Sequence, residues 1–322
     1  LLSRRQRQMC IRDSTTYDEF IEMLTRFKNE IPECTAPYTA PGLKSTQALP
    51  EFYQGATADY VKVDGKWVDG MAQDNMLTAL QNLQDAYTAG LIDQEAITNT
   101  TSSCRDEWYA GTVGCFPYWG GLWGETLTVR LKQNVPDAEV IALPPIEGAT
   151  YLYSAPSVQV ISSKLSDEQV ASVYKYFIEY MHDGGEGQVL FQSGVEGVHW
   201  QQSGNNIDPL PTISKPAEAF RKAWITPWLA LTPMTATDKN VEVSQEVTDS
   251  LAVVSANAKN ISVFPVSEQR TMITSDLTTT RENIISRVAM GQLTPEEGMA
   301  EYKAQAETLN VAQALEEMNA NA

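Results

Sequence analysis

Histidine is almost missing from this chain. Only His182 and His199 occur in 322 residues, and neither stands in a spaced cluster with cysteines or carboxylates. A zinc or transition-metal centre has no ligand set to draw on. Cysteine is nearly as scarce, with four in all. With Cys10 set aside for the reasons below, three remain, an odd count that argues against a disulfide framework, although Cys104 and Cys115 stand close enough in sequence to meet across a turn. Basic residues are few, 23 Lys and Arg against 41 Asp and Glu, for a net charge of −18, and a nucleic-acid partner is excluded on that balance. No run of 18 apolar residues occurs, so nothing predicts a membrane-spanning helix. There is also no Gly-x-Ser-x-Gly elbow, no P-loop and no G-x-G-x-x-G opening a helix.

What is present suffices for a sizeable core: 43% of residues are hydrophobic, and the length predicts about two domains. Residues 1–14, LLSRRQRQMCIRDS, fit neither core nor secretory leader, because four arginines occupy the place of an apolar h-region. They resemble a translated sequencing-adapter read and are set aside. Without them 19 basic residues face 40 acidic ones, and Thr15 is the first residue used below.

The stretch Cys104–Gly124, CRDEWYAGTVGCFPYWGGLWG, organises the rest. It predicts a helical turn ending at Gly111, a strand over 112–116, and a loop carrying Tyr118, Trp119 and Trp123 among Pro117, Gly120, Gly121 and Gly124. Rings set on a loop beyond a strand's carboxyl end lie where open α/β sheets bind ligands. Indole and phenol faces suit the C–H surface of a sugar, and their N–H and O–H groups suit its hydroxyls. The alternative, that the rings fill a core beneath the loop, stays open at this point. The adjacent carboxylates Asp106 and Glu107 suggest a glycosidase acid and nucleophile, but among so many acidic residues such pairs arise by chance and read as a solvated face.

Elsewhere the local signals are of ordinary kinds. Thr16-Tyr-Asp-Glu19, Ser166-Asp-Glu-Gln169 and Thr294-Pro-Glu-Glu297 are capping boxes that open helices. Phe20, Ile21, Leu24 and Phe27 recur at helical spacing after the first, and Val170, Val173, Tyr174, Phe177 and Tyr180 form the expected inner side after the second. Pro32, Pro37, Pro41 and Gly42 predict a long loop region bearing Glu33, Tyr38 and Tyr53. Asp64-Gly65 between two β-prone runs predicts a type I′ hairpin over 60–68. Asp74 is placed to cap a helix with Met76, Leu77, Leu80, Leu83 and Tyr87 on one stripe, stopped by Gly90 with Leu91 as its hydrophobic partner. Residues 138–143 and 157–161 predict buried strands. Helices are expected over 239–259, 267–290 and 295–317. The alternation of helix and strand from 104 to 193 makes the class α/β.

Several of these segments, taken in order, resemble a known family. They are T-x-D-E-F (16–20), V-D-G-K-W-V (63–68), Y-T-A-G-L-I-D (87–93), G-T-V-G-C-F (111–116) with its tryptophans, L-P-P-I-E-G (143–148), S-G-V-E-G-V-H-W (193–200), I-I-S-R-V-A-M-G (284–291) and T-P-E-E-G-M-A-E-Y-K (294–303). The chain from 15 to 322 resembles the family 1 extracellular solute-binding proteins, the lipoprotein components of bacterial oligosaccharide ABC importers. The resemblance implies a periplasmic-binding-protein-like type II fold with two α/β lobes and a helix-rich C-terminal part. By it, 15–145 is the second lobe, 146–212 part of an incomplete first lobe, and 213–322 the helices that return across the hinge. The missing strands would precede Thr15, with the signal peptide and lipobox cysteine, and Val158, Val160 or Ile161 would then lie at an exposed sheet edge. The resemblance further implies an extracellular monomer that binds an oligosaccharide, meets ABC permease subunits, touches the membrane only through a lipid anchor, and has neither catalysis nor cofactor. Carried over position by position, Trp119 and Trp123 match the sugar-stacking aromatics after the central strand. Tyr38 lies in the loop lining the cleft opposite, and Glu196 and Trp200 lie in the loop near the hinge; Tyr118 joins them from the aromatic loop. Many relatives carry a D-x-D-x-N-G loop before the E-I-P that is here Glu30-Ile31-Pro32; this chain runs Phe27-Lys-Asn-Glu30, and no bound calcium is carried over. A glycoside-processing enzyme and a surface scaffold are the rival readings.

Overall fold

The computed structural model describes residues 14–44, 47–153, 159–210 and 234–322. Residues 1–13 and Val158, which figure in the expectations above, lie outside them; Ser14 is buried, at 6% exposure. Helix α1 (Tyr17–Glu30) opens at its capping box, with the Glu19 N–H donating to Thr16 Oγ1 (3.3 Å) and the Thr16 N–H to Glu19 Oε2 (3.0 Å). The loop expected from 32 to 53 is interrupted by strand β1 (Ala36–Tyr38) and the helical turn α2 (Pro50–Tyr53). Both tyrosines are fully buried, each with its hydroxyl donated to a carbonyl, Tyr38 to Ala48 (3.0 Å) and Tyr53 to Leu43 (2.8 Å). A phenol so satisfied enters a core at little polar cost.

Strands β2 (Tyr60–Val63) and β3 (Lys66–Asp69) form the expected hairpin, and Asp64 (φ 48°) and Gly65 (φ 79°) take the left-handed pair of a type I′ turn. In α3 (Asn75–Thr88) the start differs from expectation: Asp74 is already helical and makes no side-chain cap. The end is as expected. The Leu91 N–H donates to Ala86 O (2.8 Å) and the Gly90 N–H to Tyr87 O (2.9 Å), a Schellman closure. Helix α4 (Thr101–Ala110) is longer than the predicted turn, because Thr100 and Ser103 cap it one turn earlier, and it ends at Gly111. Strand β4 (Val113–Cys115) runs parallel to β1, with Ala36 opposite Val113 and Tyr38 opposite Cys115. A Cβ at Gly114 would stand 2.7 Å from the Phe27 ring and 2.9 Å from Pro37 O, so glycine is what lets α1 and β1 close onto this strand.

Helix α5 spans Leu122–Asn134. The strand expected over 138–143 does not form: the segment belongs to no sheet, since the described strands of this region are two to four residues long and offer it no ladder. After β5 (Leu152–Tyr153), residues 159–161 are likewise unpaired and Val160 is 86% exposed. Helix α6 (Asp167–Val173) opens at the Ser166–Gln169 box and continues as a π-helical segment over Tyr174–Glu179. Its aromatic side was expected to face a core, but Tyr174, Phe177 and Tyr180 are exposed. Helical spacing marks an apolar face without supplying the surface that covers it. Helix α7 (Glu186–Ser193) precedes the hairpin of β6 (Trp200–Ser203) and β7 (Asn206–Pro209). Then come α8 (Gln245–Asn257), β8 (Lys259–Asn260), which pairs parallel with β5, and α9 (Glu268–Ala289). The helix expected over 295–317 is two, α10 (Pro295–Thr308) and α11 (Val311–Ala320), because Asn310 turns left-handed at φ 56° between them.

The chain divides into two compact units, Leu1–Gly120 with Leu127–Ala155 and Asp249–Ala322, and Gly121–Thr126 with Pro156–Thr248. The first holds the main core. Phe20, Tyr38 and Phe52 meet edge-on with centroids 5.1–5.9 Å apart, and Met76, Leu80 and Leu83 of α3 share that core with Ile284, Val288, Tyr302 and Val311 of the last three helices. The second has a small core of Val189, Trp200 and Ile207.

Candidate functional site

The parallel pair β1/β4 places two loops side by side at its carboxyl ends, tied by the Thr39 N–H donating to Cys115 O (3.2 Å). The first loop is held by a polar cluster. The Thr39 hydroxyl lies 2.8 Å from Glu107 Oε2 and 3.1 Å from Asp93 Oδ2, and the Asn99 amide donates to Asp93 Oδ2 (2.5 Å) and Glu107 Oε1 (3.4 Å). Burial, with Asp93 beside it, raises the Glu107 carboxyl above its ordinary value. Glu107 is thus turned to this cluster while Asp106 is exposed, so the acid and nucleophile suggested by their adjacency are not presented together. The Cys104 thiol is pushed up to about 11, chiefly by burial, and lies 3.5 Å from Thr39 Oγ1. Cys104, Cys115 and Cys34 are all free thiols.

The second loop carries the aromatics. Phe116 stacks on Tyr118 at 4.9 Å and 31°, and Trp108 of α4 lies 6.0 Å from Phe116. Arg105, one turn before Trp108, donates from Nη1 to the Tyr118 hydroxyl (2.7 Å) and from Nη2 to Ser102 Oγ (3.0 Å). Trp119 is offset by one residue from this stacked pair and is 55% exposed. Gly120 lets α8 pass close by, since a Cβ there would stand 3.0 Å from Val254 Cγ2.

The predicted site residues are therefore dispersed in role. Trp119 is exposed to solvent. Tyr118 is half-buried, its ring and hydroxyl engaged by Phe116 and Arg105. Trp123 is not on the loop: it lies in the first turn of α5 and is 9% exposed, because the helix begins at Leu122 and turns the indole inward. Tyr38 does not line a loop either. It ends β1 at 0% exposure, and its hydroxyl also lies 2.8 Å from Glu51 Oε2. Trp119 and Tyr38 fall in the first unit, Trp123, Glu196 and Trp200 in the second. There Trp200 is buried and donates from Nε1 to Gly194 O (2.9 Å), closing a loop on whose surface Glu196 is exposed.

Sequence reasoning missed the Thr39–Asp93–Asn99–Glu107 cluster, Arg105, and Glu51, which is buried between two tyrosine hydroxyls, Tyr38 and Tyr151 (2.9 Å). Burial raises the Glu51 carboxyl, and both tyrosine hydrogen bonds oppose the shift. Among the described residues no three His, Cys, Asp or Glu side chains converge as a metal site would require, and no helix is long and apolar enough to cross a membrane.

No family model matches the chain, and no curated protein matches it in sequence. Solved structures do match in three dimensions. An alginate-binding protein, solved without calcium ion, aligns over 98% of this chain and 69% of its own, at 15% identity and a TM-score of 0.64. An HMO-binding, ABC-transporter-associated solute-binding protein from Bifidobacterium longum infantis aligns over 97% and 70%, at 14% identity and a TM-score of 0.65. An ABC-transporter substrate-binding protein of Streptococcus pneumoniae, in complex with kestose, aligns over 95% and 67%, at 16% identity and a TM-score of 0.61. The fold is that of the ABC-transporter solute-binding proteins. The two loops follow the carboxyl ends of the parallel β1/β4 pair.

Proposed function

We propose that this chain is the carbohydrate-binding component of an ABC importer, with Trp119 as the face on which a sugar ring stacks. The observation that carries the proposal is the exposure of Trp119 at the end of the parallel β1/β4 pair, beside Phe116 and Tyr118, which are held against α4. A large ring left 55% exposed while Phe116 and Tyr118 pack supplies what a pyranose or furanose face needs. The neighbours of like fold support the ligand class, since their names record alginate, HMO and kestose.

In this proposal the protein binds and releases without chemistry. Asp93 and Glu107 are bonded to Thr39 and Asn99 and hold the strand end in place. Glu196, exposed on its own loop, is a further candidate for a polar contact to ligand, while Trp123, Trp200 and Tyr38 are buried. The finer parts of the proposal are an extracellular, lipid-anchored monomer that passes its ligand to a permease. The test is a thermal-shift screen with kestose, alginate oligosaccharides and Man1GlcNAc, paired with an assay for new reducing ends. A binding protein gains melting temperature with at least one sugar and releases no reducing ends. New reducing ends would replace this proposal with a glycoside-processing enzyme, and a melting temperature indifferent to every sugar would favour a scaffold.

A further inference from the structure

Side chains of α4 tie the aromatic loop to the helix beside it. Arg105 and Trp108 lie one turn apart on α4, and they engage Tyr118 and Phe116, which are two residues apart on the loop. The guanidinium donates to the Tyr118 hydroxyl at 2.7 Å and lies 6.0 Å from the ring centroid, and it is itself steadied by Ser102 Oγ at 3.0 Å. Phe116 completes the row, 4.9 Å from Tyr118 and 6.0 Å from Trp108. Helix α4 is in turn fixed to α5, with Trp108 Nε1 donating to Leu127 O (3.4 Å) and Asn134 Nδ2 to Tyr109 O (2.7 Å). Residues 116–120 belong to no helix or strand, and the side chains of Phe116 and Tyr118 tie the loop to α4.

We infer that the Arg105–Tyr118 hydrogen bond sets the orientation of Trp119 and thereby the affinity for sugar, without Arg105 itself needing to touch the ligand. This rests on the proposed function only for its second half. A platform already held in its binding orientation spares the complex the cost of ordering it, and releasing it weakens binding by about tenfold.

The test labels the protein with 5-fluorotryptophan and follows the Trp119 fluorine resonance, assigned by Trp119→Phe. The natural chain is expected to give one narrow line. Arg105→Gln and Tyr118→Phe should each shift and broaden it, the double variant should go no further than either, and Arg105→Lys should restore it in part, with melting temperatures little changed. Tyr118→Phe removes a single oxygen and carries the test if Arg105→Gln fails to fold. An unchanged Trp119 line in both single variants would overturn the brace. In titrations with kestose and alginate oligosaccharides, the two variants should bind about tenfold more weakly. Full loss in Trp119→Ala with no change in Arg105→Gln would also overturn the brace while upholding the platform. Binding of no sugar by the natural chain would overturn the functional proposal and leave the fluorine line to decide the brace.

Discussion

Asp69→Ala should be among the most costly single substitutions in the first unit. Asp69 Oδ1 accepts from Arg281 Nη2 at 2.7 Å, and the two side chains are 6% and 3% exposed. The second carboxylate oxygen accepts from the Tyr302 hydroxyl at 2.6 Å, and that hydroxyl accepts from Arg281 Nε at 3.1 Å, so hairpin, α9 and α10 are joined by one closed ring of bonds. Removing the carboxylate leaves a guanidinium, always charged, between the rings of Tyr60 and Tyr302 at 5.2 and 5.8 Å. Breaking a buried pair costs about 3–5 kcal/mol. Asp59 remains at 3.2 Å but is 62% exposed, and it compensates only in part, which places the expected loss near 3 kcal/mol. Urea denaturation followed by far-UV circular dichroism, at unchanged slope, measures it. Replacing both partners, Asp69→Leu with Arg281→Met, should cost much less than the two single losses added, because no orphan charge is left. A single-variant loss below about 1 kcal/mol, or simple additivity, would refute the reasoning and mean that water reaches the pair.

Glu51 gives a dependence on pH. Its folded carboxyl is raised by burial, so the folded chain holds that proton more tightly than the unfolded one, and the stability it contributes below about pH 4.3 is lost as pH rises through the raised value. Glu51→Gln should flatten that part of a plot of melting temperature against pH, and an unaltered slope would show that Glu51 is not the group responsible. Asn310 stands left-handed between α10 and α11, and Asn310→Ala should cost about 1 kcal/mol where Asn310→Gly costs little, both read from the same urea curves.

What was legible in the sequence is what closes within a few residues. The Thr16, Ser166 and Thr294 boxes, the Asp64-Gly65 turn and the Gly90 closure each complete their hydrogen bonds inside one turn, so their residue types alone determine them. Pairings across the chain left no such trace. β1 meets β4 over 77 residues, Glu51 meets Tyr151 over 100, and Asp69 meets Arg281 over 212. The aromatic face of 174–180 shows the same limit from the other side, since its spacing is helical whether or not anything packs on it. At the candidate site the loop after β4 and the prominence of Trp119 were legible from the crowding of rings among glycines. The inward turn of Trp123 was not, because it depends on where α5 begins, and Gly120, Gly121 and Gly124 leave that start unmarked.

The most direct measurement is sugar affinity in Trp119→Ala, by calorimetric titration against whichever of kestose, alginate oligosaccharides or Man1GlcNAc raises the melting temperature of the natural chain. Stacking on one indole face accounts for on the order of 1 kcal/mol or more, so affinity should fall about fivefold or further. The melting temperature without ligand should hardly move, because the ring is already 55% exposed. Unchanged affinity in a folded variant, or unfolding with no separate effect on binding, would contradict Trp119 as the sugar platform.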